Sequence, residues 1–86
     1  MTHVLYLGKD AKELYDKLDV VFENENSRVL IATQKEGTLV GRLINFNPTE
    51  GFNLSDVVLV APDNPPEVIS WVRIKPEIIR ESYLLS

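Results

Sequence analysis

Residues 36–59 read E-G-T-L-V-G-R-L-I-N-F-N-P-T-E-G-F-N-L-S-D-V-V-L. They comprise a turn, a strand with a glycine at its centre, a polar loop, an apolar–Asn pair and a second strand. Glycine inside a strand weakens it, so it marks a bend or a close approach of another backbone. Gly41 stands where a strand must curl to close a very small sheet. Phe52-Asn53 then places an amide at the end of the loop, with donors and acceptors suited to a base edge.

Working outward, residues 28–34 have a period of two. Val29, Ile31 and Thr33 share one face, and Leu30, Ala32 and Gln34 the other. Lys35-Glu36-Gly37 is a tight hairpin loop, with Gly37 suited to the left-handed position. Thr38–Phe46 is a long strand through Gly41, and residues 47–51, N-P-T-E-G, form a loop by composition. Leu54–Ala61 is a third strand and residues 62–66, P-D-N-P-P, a turn. Glu67–Lys75 is a fourth strand, which Pro76 ends because it has no amide donor. Ile78–Leu84 is a fifth.

Upstream, Ala11, Leu14, Tyr15 and Leu18 follow i, i+3, i+4, i+7, one apolar helical stripe. Asp10 is placed to cap that helix, with Glu13 three residues on as in a capping box. His3–Leu7 reads either as a strand or as the lead-in to the helix, and residues 20–27 as a connector. The expected architecture is therefore mainly β: a helix over about residues 9–19 in an arm of residues 1–26, then a strongly bent five-stranded antiparallel small barrel over residues 27–86.

At 86 residues the chain makes one domain. A core this small is marginal, and self-assembly is one common remedy. Val68, Ile69, Trp71, Val72 and Ile74, then Ile78, Ile79, Tyr83, Leu84 and Leu85, make the last two strands unusually apolar for a small monomer. Such edges aggregate unless covered, so a head-to-tail contact between copies is expected.

The chain has no Cys, hence no disulfide or thiolate metal site. That composition fits a cytoplasmic protein, and no signal peptide or membrane helix is expected. The net charge of −4 argues against gripping nucleic acid by bulk charge. It is uneven, with three bases against six acids in residues 1–26 and six against seven in residues 27–86. The β-rich part is nearly neutral and has room for a local basic pocket. His3 is the only histidine, and the four glycines are dispersed. No catalytic set, metal site, phosphate loop or small-molecule cofactor site is expected.

These residues resemble the Sm/Lsm family, including the Hfq-type proteins. Gly37, Gly41, Leu43, Phe46, Phe52 and Asn53 stand at the places of its first motif, and residues 74–79, I-K-P-E-I-I, align with its second. The resemblance covers about residues 9–84. It implies a non-enzymatic ring of about five to seven subunits, in which the fourth strand of one copy pairs with the fifth of the next. It also implies binding of single-stranded, uridine-rich RNA. The site carried over is Asn53 for the base edge, Phe52 for packing or stacking, Asn47 in the loop and Lys75 for charge. Four departures stand out: Asn47 replaces an Asp, the loop before Asn53 is about two residues longer, Gly51 takes a position often held by a base-stacking side chain, and Pro76 replaces a glycine. The acidic balance, Gly51 and Pro76 favour the alternative of a homo-oligomeric scaffold for protein partners. Trp71 reads as a core or interface anchor, and Arg73, one strand period from Lys75, either as a neighbour on the same barrel face or, the commoner fate, as a surface ion-pairing residue.

Overall fold

The computed structural model describes residues 3–24 and 26–86. Residues 1, 2 and 25 lie outside the described residues, and with them the start of the expected arm and part of the expected connector. The elements are β1 (Val4–Gly8), α1 (Ala11–Asp16), α2 (Leu18–Glu23), β2 (Arg28–Thr33), β3 (Thr38–Asn47), β4 (Gly51–Ala61), β5 (Asn64–Ile74), a 3-10 turn at Pro76–Ile78, and β6 (Ile79–Leu85). The strands form one antiparallel sheet in the order β1-β6-β2-β3-β4-β5.

The chain is mainly β, as its periodicity indicates, but two expectations are corrected. Among the described residues there are six strands rather than five, and the sheet does not close into a barrel, because its end strands β1 and β5 do not pair with each other. The additional strand is β1. Val4, Leu5 and Tyr6 lie opposite Leu85, Leu84 and Tyr83 of β6. His3 and Ser86 extend this ladder by exchanging both backbone hydrogen bonds, at 2.8 and 2.9 Å. Of the five strands from Arg28 onward, the fourth is β5 and the fifth is β6. Since β6 lies between β1 and β2, the contact that the resemblance implies between copies requires β1 to leave its place.

The bend at Gly41 takes the form of two bulges. Val40 pairs with Val58 but Arg42 with Ser55, so β4 carries one extra residue there, and Asp56 adopts a φ of 51°. Leu43 pairs with Leu54 but Asn45 with Asn53, so the second extra residue, Ile44, is on β3. Bulges of this kind bend a strand and raise its twist. A Cβ on Gly41 would lie 2.9 Å from both the Ser55 carbonyl oxygen and Val57 Cγ2. The glycine is what lets the bulged part of β4 come that close.

The core lies between the sheet and the helices, which contribute to one buried cluster. Leu7, Leu14, Val29, Ile31, Leu39, Phe52, Leu54, Val57 and Ile74 are all fully buried. The Asp10 carboxylate accepts from the Glu13 amide at 2.9 Å and caps α1, and the Glu13 carboxylate accepts from the Lys9 amide at 3.1 Å. The expected single helix is broken at Lys17, whose φ of −116° and ψ of 13° lie outside the helical region. The expected connector begins as α2, because the apolar stripe Leu14, Leu18, Val21 continues across the break. β5 starts at Asn64, within the expected turn. Pro65 and Pro66 are tolerated there because β5 is an edge strand and its pairing with β4 is irregular at this point, Leu59 lying opposite Glu67 but Ala61 opposite Asn64.

Candidate functional site

The turn joining β3 to β4 builds one side of the site. The Asn47 side-chain oxygen accepts from the amides of Thr49, at 2.8 Å, and Glu50, at 3.1 Å, so this residue shapes the turn. Tyr15 of α1 donates its hydroxyl to the Asn47 carbonyl at 2.9 Å. Partial burial raises the Tyr15 phenol above its ordinary pKa. At the first position of β4, Gly51 has a φ of 113°, and a Cβ there would lie 2.0 Å from the Ile74 carbonyl oxygen. The absence of a side chain at Gly51 therefore seats the 48–50 turn against the end of β5. It also explains why the position offers no base-stacking group.

That seating brings together the two segments that the resemblance implicates. Thr49 and Glu50 from the turn, Arg73 and Lys75 from the end of β5, and Glu77 from the 3-10 turn line one shallow cleft. Beside it runs a row across three strands, Asn45–Asn53–Arg73. The Asn53 side-chain nitrogen donates to the Asn45 side-chain oxygen, and its oxygen accepts from Arg73 Nε at 3.0 Å. Arg73 also lies 3.7 Å from the Glu50 carboxylate and 5.5 Å from the centre of the Trp71 ring. Among the described residues, no carboxylate forms an ion pair with Lys75, whose side chain is exposed.

The four anticipated site residues thus have different surroundings. Asn53 and Lys75 lie at the cleft or its rim, Asn47 is occupied in the turn, and Phe52 lies in the core. Phe52 is fully buried and stacks on Tyr15 with ring centres 4.6 Å apart. No ring face remains for a base unless the core opens, which corrects the anticipated stacking role. The Arg73–Glu50 pair fits the surface role expected of Arg73. Its bond to Asn53, and the part played by Asn45, were not anticipated. The alternation from Leu43 would have signalled Asn45, but the bulge at Ile44 obscures which face the residue takes. Trp71 is half-exposed on β5 and is not a core residue.

Comparison with models of known protein families gives no match, and comparison with curated proteins gives none either. Among the described residues no cluster of His, Cys, Asp or Glu has the arrangement of a metal site, and no helix is long and apolar enough to cross a membrane.

Proposed function

We propose that this chain is a non-enzymatic, Sm-like binding module that takes single-stranded, uridine-rich RNA in the cleft between the 48–50 turn and the 73–77 segment. The observation that carries this reading is the convergence of Asn53, Arg73, Lys75 and Thr49 at one end of the sheet. A side-chain amide has two donor hydrogens and two acceptor lone pairs. Asn45 and Arg73 engage one of each at Asn53, fixing the direction of the amide and leaving it one further donor and one further acceptor. That pair matches the carbonyl and N–H on the edge of uracil. Lys75 supplies a cation to a phosphate or a base oxygen, and the Thr49 hydroxyl a further polar contact.

Glu50 and Glu77 keep the cleft close to neutral. It therefore suits a base edge better than a phosphate clamp, and with Phe52 buried each site binds weakly. The double variant Asn53→Ala, Lys75→Ala tests the assignment by fluorescence anisotropy with a labelled oligo-uridine. Affinity should fall at least about tenfold, the loss of one charged contact and one base-edge contact, while the circular dichroism spectrum is kept. Equal affinity for the variant and the parent chain would refute the assignment.

The carboxylate beside Arg73 favours a second reading, a protein-binding scaffold of the same fold with no RNA site. Under that reading no RNA binds even at low salt.

A further inference from the structure

We infer that two copies of this chain pair through β5, antiparallel and related by a two-fold axis at Ser70. The sheet has two ends, and the outer side of β6 is already paired with β1 over Ser82–Leu85. β5 is eleven residues long and, among the described residues, pairs only with β4, so its other side presents a row of backbone donors and acceptors with no strand beside it. It also carries Val68, 82% exposed, and Trp71, 50% exposed. A long apolar edge in this state is a template for another strand.

The sequence of β5 identifies the strand that fits. Residues 67–73 read E-V-I-S-W-V-R. With the axis at Ser70, Arg73 faces Glu67 of the second copy, Val72 faces Val68 and Trp71 faces Ile69. Apart from Ser70, which faces its own copy on the axis, these pairs are of opposite charge or apolar, the combinations that stabilise antiparallel pairs. Sliding the register by one residue places Arg73 against Val68 or Pro66 and loses both charge pairs. Pro65 and Pro66 have no amide hydrogen, so the new ladder ends beside Glu67 and the register is held. The other end strand, Val4–Gly8, is only five residues long and carries no charge to fix a register. A two-fold contact is complete with two copies and does not propagate, so the product is a dimer rather than a ring.

Light scattering on the full chain at about 100 µM should give twice the chain mass of 9.8 kDa. Glu67→Arg alone, or Arg73→Glu alone, turns two attractive pairs into two repulsive ones and should weaken the dimer roughly tenfold or more. The double variant Glu67→Arg, Arg73→Glu restores both pairs and should recover the dimer. Arg73 also holds Asn53, so Val68→Lys serves as a second probe. Its exposed position leaves the fold intact, and it should yield a monomer with an unchanged circular dichroism spectrum. A monomer for the parent chain at that concentration overturns the inference, as does a mass of five to seven subunits. So does a double variant no better than the singles, or a Val68→Lys variant that dimerises normally.

Discussion

Replacing Gly51 by alanine probes the contact that assembles the site. Two terms add. The backbone φ of 113° is one that residues with a Cβ rarely adopt, at about 1–3 kcal/mol. The new Cβ would also lie 2.0 Å from the Ile74 carbonyl oxygen, which must recede to at least 3.4 Å for ordinary contact. That oxygen belongs to the backbone of β5, so the relief requires two paired strands to part, at about another 1–3 kcal/mol for overpacking. The sum is about 2–6 kcal/mol. A chain of 86 residues has a total stability of about 4–13 kcal/mol, so the loss is a large fraction. Urea denaturation followed by circular dichroism measures it. Gly41→Ala is the control, since the same atom there meets Ser55 and Val57 at 2.9 Å without a left-handed φ, and about 1–3 kcal/mol is expected. The reasoning is refuted if Gly51→Ala costs under about 0.5 kcal/mol, the size of an ordinary surface change, or less than Gly41→Ala.

Phe52→Ala should destabilise by about 3–5 kcal/mol in the same denaturation assay, as for a buried aromatic truncated to a cavity. Asp10→Ala removes the α1 cap and should lower stability by about 0.5–2 kcal/mol in thermal melts. Tyr15→Phe removes the bond to the Asn47 carbonyl, about 0.5–1.5 kcal/mol at neutral pH. Because burial raises the Tyr15 phenol above 10.0, its stabilisation is complete below pH 10.0 and is lost as pH rises through the folded-state value. The stability difference between the parent chain and Tyr15→Phe should therefore narrow above that pH, and a constant difference would count against this role for the phenol.

Much of the fold is legible in local pattern. The alternation that buries Val29 and Ile31, the stripe through Ala11, Leu14 and Leu18, and the Asp10 cap all depend on near neighbours, where periodicity and side-chain reach suffice. The strand choice for His3–Leu7 is not of that kind. It depends on β6, nearly eighty residues away, offering an unpaired edge. Closure of the sheet is likewise a property of its two ends, which no local window contains. At the site, Asn53 and Lys75 stand out by residue type and position, but Phe52 does not reveal that its neighbour Tyr15 will take its face. The Asn45–Asn53–Arg73 row depends on a bulge that shifts the register by one residue, and alternation cannot register such a shift.

The most direct test of the account is a titration of the intact chain with labelled oligo-uridine at several salt concentrations. An RNA site that includes Lys75 predicts saturable binding at low salt, with affinity falling steadily as salt rises, in proportion to the few phosphate contacts made. Absence of binding at the lowest salt would contradict the RNA reading and leave the protein scaffold.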